Sequence, residues 1–349
     1  MAATVRIGIV GAGNNTRTRH IPGLQAIPGV ELVSVCNRSR ESSQRVADAF
    51  GIPKVYENWR DLIAADDIDA VVIGTWPYMH CEMSCAVLEA GKHVMCEARM
   101  AMNATEARAM LAASQAHPKQ IAQIVPSPFT FRVDQTIQEL LAAGYLGDLY
   151  ALSVRGGTTA FGDAQAPLHW RQRQSLSGYN IMNMGIWYEA VTRWVGPVER
   201  LYARGRIFTP QRLDTETNQI GTVDVPDHLD IIADLPNGAQ ATYTLSSVCG
   251  LGPGPGAWLF GSQGTLHFDQ DSRKLLGGKP GDKALQEIVI PPEQEGKWRV
   301  EEEFINAIRG LEPIRLTSFP EGVKYMEFTE AVHRSLASGE MVAVPQVRV

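Results

Sequence analysis

The residues best suited to chemistry begin ten positions into the chain. Gly11-Ala12-Gly13 follows the apolar run "VRIGIV" and precedes "NNTRTRHIPGLQAI". Glycine there permits a tight turn from strand to helix and lets a pyrophosphate approach the helix amides. Thr16 stands where the usual dinucleotide fingerprint has its third glycine. The end of the second apolar run, "VELVSV", chooses the cofactor. A carboxylate there would accept hydrogen bonds from the ribose hydroxyls of NAD. The position holds Asn37, followed by Arg38, Ser39 and Arg40. Arginine grips a 2′-phosphate that a carboxylate would repel. The expected cofactor is therefore NADP(H), with NAD(H) as the alternative if Arg38 and Arg40 are only solvated residues at a helix start.

These positions need a scaffold. Short apolar runs alternate with helical patterns over the first 125 residues: "VRIGIV", "VELVSV", "AVVIGT", "HVMCE" and "IAQIV". Strands apolar throughout and spaced by helices imply a parallel sheet covered on both faces. Asn103 and Glu106 have capping-box spacing at the start of "NATEARAMLAASQA". From residue 126 the texture changes. "PSPFTF" reads as a linker-like stretch and "TIQELLAAGYLGD" as a helix. "HLDIIADLPNGAQATYTLSS" alternates apolar and polar residues on both sides of Asn237-Gly238, an antiparallel hairpin with one wet face. "AWLFGSQGTLHFD" reads as a second hairpin, and "GLGPGPG" as a loop. Residues 300–340 return to helical periodicity, with Phe304, Ile305, Ile308, Tyr325, Phe328 and Val332 as core candidates. The fold class is α/β: a Rossmann dinucleotide-binding domain over 1–125, then an α+β domain over 126–349 with a large open, mostly antiparallel sheet.

Composition narrows the function. A net charge of -6 without long single-sign runs argues against a nucleic-acid partner. Apolar runs are too short for a membrane span or signal peptide. The five cysteines, Cys36, Cys81, Cys85, Cys96 and Cys249, are odd in number and scattered, as for free thiols in a reducing cytoplasm. Cys81 and Cys85 lack the companions of a metal site, so no metal is expected.

"GIVGAG", "HIPGLQAIPGVELVSVCNR", "LEAGKHVMCE", "GYLGDL", "FGSQGTL" and "EEEFINAIRG", in this order, resemble the Gfo/Idh/MocA oxidoreductases, the glucose–fructose oxidoreductase and inositol dehydrogenase family. The resemblance runs over nearly the whole chain. It implies a dinucleotide domain followed by a substrate domain that usually forms homodimers or homotetramers. It puts the cofactor loop on Gly11, Gly13, Asn14, Asn15 and Thr16, with Asn37 and Arg38 at the ribose-reading position. The nicotinamide-side stretch falls on "TWPYMH", with Thr75, Trp76 and His80. Glu97 takes the place of a glutamate that contacts the nicotinamide ribose.

The departures concern the proton. The family's Glu-Lys-Pro reads Glu97, Ala98, Arg99, and its second signature falls on "SGYNIMNMGIWYEA". Asn183, Trp187 and Ala190 replace an Asp, a His and an Asp. Alanine carries no proton, asparagine is no base at neutral pH, and indole only donates. The remaining candidates are His169 as general acid/base, Arg99 as an oxyanion or carboxylate holder, Tyr179 as a substrate contact, and Asn183 as a hydroxyl partner. Trp76, Tyr179 and Trp187 together suggest an aromatic pocket for a ring. The expected function is an NADP(H)-dependent oxidoreductase acting on a sugar, cyclitol or similar cyclic hydroxy/oxo compound with a non-standard proton donor. The alternatives are a cofactor-retaining glycoside-cleaving enzyme with no net redox change, and a non-catalytic dinucleotide- and ligand-binding homologue.

Overall fold

The structure, a computed structural model, describes residues 4–347. The chain divides into two compact units: residues up to 126 together with 299–323, and residues 127–298 together with those from 324 onward.

The first unit is built on a six-stranded parallel sheet of β1 (Val5–Val10), β2 (Val30–Cys36), β3 (Lys54–Val55), β4 (Ala70–Ile73), β5 (His93–Cys96) and β6 (Ala122–Ile124), in the order β3-β2-β1-β4-β5-β6. Ala70, Val71, Val72 and Ile73 are all buried, as are Val94, Met95 and Cys96. Strands sealed on both faces leave no polar alternation, which is why these runs read as continuous apolar blocks. The crossover helices start on side-chain caps. Ser39 Oγ accepts the Ser42 N–H at 3.2 Å, and Asn103 Oδ1 accepts the Glu106 N–H at 2.9 Å. The return bond of the capping box falls one residue early, since Glu106 Oε2 takes the Met102 N–H at 3.0 Å.

The sequence expectation gives residues 126–349 to the second domain, whereas residues 299–323 pack with the first unit. The physical reason is the open edge of β6. The Gln123 side chain donates to the Leu316 carbonyl at 2.6 Å, and the Ile124 N–H donates to the Thr317 carbonyl at 2.9 Å. The helix Val300–Ile308 buries Phe304 and Ile305 fully within this unit.

The second unit carries a nine-stranded sheet. Its strands are β7 (Leu149–Gly157), β8 (Arg200–Arg206), β11 (His228–Asp234), β12 (Gln240–Ser246), β13 (Gly256–Gly261), β14 (Thr265–Asp269), β15 (Lys274–Gly278), β16 (Gln286–Glu287) and β17 (Val342–Ala343). A separate two-stranded ribbon joins β9 (Gln211–Asp214) to β10 (Gln219–Thr222). The large sheet runs β16-β15-β14-β13-β7-β12-β11-β8-β17, and only the β12–β7 pair is parallel. The expected hairpin pairs Asp234 with Gln240 across a turn in which Gly238 has φ of +82°. Leu229, Ile231, Ala241, Tyr243 and Leu245 are buried, whereas Ile232 stays half exposed. The helix Met184–Val195 belongs to the same core, where Tyr188 stacks on Phe328 at 3.7 Å between ring centres. Among the described residues no helix is long and apolar enough to cross a membrane, and no cluster of three metal-ligating side chains occurs.

Candidate functional site

The carboxyl ends of β1, β2, β4 and β5 bring the sequence-derived cofactor positions together. Gly11 has φ of +83°, and a Cβ there would lie 2.7 Å from the Thr75 amide nitrogen and 2.8 Å from the Gly74 carbonyl carbon. Only glycine fits both the conformation and the space. A Cβ on Gly74 would in turn come 2.3 Å from the Gly11 carbonyl oxygen, so the loops after β1 and β4 pack backbone to backbone. Gly13 differs, because a Cβ there would make one ordinary contact at 3.5 Å. Gly13 and Asn14 are exposed, which opens the amide end of the first helix to a phosphate. Thr16 opens a π-turn over Thr16–His20, is buried, and donates its hydroxyl to the Gly11 carbonyl at 3.3 Å. The missing third glycine is thus a buried threonine that braces the turn.

Asn37 braces the same turn from β2. Its Oδ1 accepts the Ala12 N–H at 2.7 Å, and its Nδ2 donates to the Ser42 carbonyl and hydroxyl at 3.2 and 3.1 Å. This amide is spent on the protein itself. Arg38 is exposed, with its guanidinium carbon 5.9 Å from the centre of the Trp76 ring. Arg40 is paired with Glu57 at 2.7 Å on an open surface. Of the two arginines expected near a 2′-phosphate, Arg38 stands against the loop after β4 and Arg40 has an acidic partner.

His80 lies fully buried, facing the Arg99 carbonyl through Nδ1 at 2.9 Å and the Thr75 carbonyl through Nε2 at 3.1 Å. Burial pushes its pKa down, which favours the neutral ring, able to donate to one carbonyl at a time. Its work is to tie the loop after β4 to the loop after β5. Arg99 is itself 6% exposed. Glu97 is held by a polar chain. Its Oε1 accepts from Asn15 Nδ2 at 2.5 Å and meets His20 Nε2 at 3.0 Å, while His20 Nδ1 meets Glu301 Oε1 at 2.5 Å. Burial pushes the Glu97 carboxyl up, but His20 and the Asn15 amide outweigh it and hold the group below the usual range. Burial also pulls His20 down, but the two carboxylates outweigh it and the ring is pushed up to about 9.

The candidates of the second unit occupy separate places. His169 is exposed, and its Nδ1 accepts the Arg171 N–H at 3.2 Å as the cap of the short helix Trp170–Gln172. Burial of part of the ring and the charge of Arg171 lower its pKa. Tyr179 stacks on His333 at 3.6 Å with the planes 9° apart. The two rings wall a cavity of about 380 Å³ whose rim carries Arg206 and Asp224. Asn183 lies instead against β7, where its Oδ1 would be 2.9 Å from a Cβ on Gly156. The same Cβ would be 2.7 Å from Trp187 Cδ1. Asn183 Oδ1 and Trp187 Nε1 are both buried without a hydrogen-bond partner in the protein. Trp187 is fully buried, flanked by Phe129 and Phe268, so it builds core and not the expected aromatic wall beside Tyr179.

Three participants escaped the sequence reading: His20, Glu301 and His333. Glu301 carried a signal, since it precedes Ile305 by one helical turn and so shares the apolar face. A carboxylate on such a face needs a buried partner. His20 and His333 carried no comparable signal.

This geometry agrees with the comparisons to known proteins. Residues 5–124 match the model of the oxidoreductase family with an NAD-binding Rossmann fold, and residues 135–267 match the Gfo/Idh/MocA C-terminal domain. The chain belongs to the Gfo/Idh/MocA oxidoreductase family. A family member from Synechocystis described as an uncharacterized oxidoreductase is 24% identical over 82% of this chain and 78% of its own length. Myo-inositol 2-dehydrogenase of Thermotoga maritima is 23% identical over 98% of this chain and 99% of its own. Levoglucosan dehydrogenase in complex with NADH and L-sorbose has the same fold, with a TM-score of 0.85 at 22% identity over 99% of this chain and 100% of that one. This Gfo/Idh/MocA member is an oxidoreductase whose first unit binds a nicotinamide dinucleotide.

Proposed function

We propose that this oxidoreductase uses NADP(H) to interconvert a hydroxyl and a carbonyl on a sugar, cyclitol or related ring. The observation that carries the cofactor choice is Asn37. Where an NAD site places a carboxylate, this chain has a neutral amide bonded to Ala12 and Ser42, with the exposed Arg38 next to it. An arginine beside a neutral amide, where an NAD site has a carboxylate, favours a 2′-phosphate. Gly11, Gly13, Asn14, Asn15 and Thr16 would receive the pyrophosphate at the helix amides, and Thr75, Trp76 and Glu97 border the same edge of the sheet. The bound dinucleotide supplies the hydride donor or acceptor. The ring-shaped substrate is supported by the relatives named for inositol and levoglucosan.

The proton has to move without the family's lysine. Asn183 Oδ1, buried and unpartnered, can accept a hydrogen bond from a substrate hydroxyl and orient it. The proton then passes to water, since the His169 Nδ1 lone pair is spent on the Arg171 N–H. The protein works as a homodimer or homotetramer, and its free cysteines suit the reducing cytoplasm. Mixing the enzyme with NADP⁺ and a panel of sugars and cyclitols tests the reading. Growth of reduced-nicotinamide absorbance with at least one ring alcohol is the expected result.

A second reading rests on the same missing groups. Ala98 cannot carry a proton and Trp187 is sealed in the core. Transient oxidation that sets up elimination elsewhere on a glycoside, with the cofactor retained, accommodates both. Product formation without a lasting absorbance change separates it from the first.

A further inference from the structure

The buried chain Asn15–Glu97–His20–Glu301 is larger than a structural cap requires, and each of its members comes from the first unit. Both ring nitrogens of His20 face carboxylate oxygens, at 3.0 Å for Glu97 and 2.5 Å for Glu301. A neutral imidazole has one N–H, so one nitrogen lone pair would face a carboxylate lone pair. With both carboxylates ionised, the imidazolium donates to both. The ring is fully buried, and the Glu97 and Glu301 side chains are 15% and 5% exposed. Removing the proton would leave two carboxylates about a ring that cancels neither, in a medium that magnifies their repulsion.

We infer that His20 is a positioning residue for the dinucleotide: a buried cation that fixes the Glu97 carboxylate against Asn15 at the mouth of the glycine turn. This rests on the dinucleotide reading of the site. Asn15 belongs to the helix whose amide end follows Gly13, and Glu97 ends β5 in the loop that His80 ties to Thr75. Holding Glu97 therefore holds the floor of the cofactor edge. Charged groups bearing on the ring include Glu97 from the end of β5 and Glu301 from the helix Val300–Ile308, and its own helix adds the neutral Asn15. Glu301 also packs against Gly23, where a Cβ would meet its carboxyl at 3.0 Å, so the outer carboxylate is itself fixed.

The sign of the pH dependence follows. The folded-state ring titrates above its ordinary value of 6.5, at about 9. Its contribution is fully present below the ordinary value and is lost as pH rises through the folded one. Dinucleotide affinity is then flat from neutrality to about pH 8 and falls near pH 9.

The experiment measures NADPH affinity by nicotinamide fluorescence on the full chain between pH 6.5 and 10, with the His20 ring protons followed by NMR in the same range. Wild type, Glu301→Gln and His20→Asn are compared. Expected are a fall in affinity that coincides with the His20 titration, a midpoint about one to two pH units lower in Glu301→Gln, and a pH-independent affinity about tenfold weaker in His20→Asn. A network with a structural role alone would lower the melting temperature of Glu301→Gln and leave the affinity profile in place. That outcome overturns the positioning role. So does an affinity that stays constant to pH 10 while His20 titrates. Should His20→Asn fail to fold, Glu301→Gln alone decides. Failure of wild type to bind NADPH or NADH at pH 7 removes the dinucleotide reading and this role with it, whereas pH-independent NADPH binding removes only the role.

Discussion

Two regions of the molecule treat their polar side chains differently. At the cofactor edge of the first unit they are bonded within the protein: Asn37 to Ala12 and Ser42, the neutral His80 ring to one of the two carbonyls it faces, Glu97 to Asn15 and His20. In the second unit Asn183 Oδ1 and Trp187 Nε1 are buried with no partner in the protein. A buried polar group left unpaired costs stability; on the proposed function a substrate hydroxyl would supply the bond to Asn183. The first region is a mould held by the protein's own bonds. The second keeps bonding capacity in reserve at the position where the family's acid/base groups have been replaced.

Substitutions can break or sharpen that contrast. The largest effect is expected for Gly11→Ala, which places a methyl into the backbone of Gly74 and Thr75 at positive φ. It should cost about 3 kcal/mol in urea unfolding and abolish dinucleotide binding. Asn37→Ala and Asn183→Ala form a matched pair. Asn37→Ala leaves the Ala12 N–H unpaired and should cost about 1–2 kcal/mol, weakening NADPH and NADH alike. Asn183→Ala removes an oxygen that bonds nothing in the protein, so its unfolding free energy should move by less than about 0.5 kcal/mol. Its turnover should nevertheless fall, with dinucleotide affinity unchanged. Equal destabilisation by both substitutions would end the comparison. Arg38→Ala should weaken NADPH about tenfold and leave NADH nearly unaffected in fluorescence titrations. Arg40→Ala, in an exposed pair with Glu57, should change stability by less than about 0.5 kcal/mol and alter neither affinity appreciably.

Much of the fold was legible because its causes are local. Gly11 needs its φ, β4 needs four buried apolar residues in a row, and Asn237-Gly238 needs a tight turn; each leaves a mark within a few residues. The family resemblance then placed Thr75, His80 and Glu97, though not their work, since His80 proves to be a tie between loops. What escaped depends on long-range pairing. Helical periodicity over 300–308 marks an apolar face without saying which core receives it, so the return of 299–323 to the edge of β6 left no trace. The bond from His20 to Glu301 spans 281 residues. Asn183 was legible as a substituted signature position, but its lack of a partner is a fact of packing that only the structure supplies.

On the proposed function, a neutral Asn37 beside Arg38 selects NADP(H). The most direct test is a titration of NADPH and NADH into the purified protein, read by nicotinamide fluorescence. The account expects NADPH to bind at least tenfold more tightly, since a charge-assisted pair to a phosphate is worth about 1.5–3 kcal/mol. Tighter binding of NADH, or equal binding of the two, would contradict it.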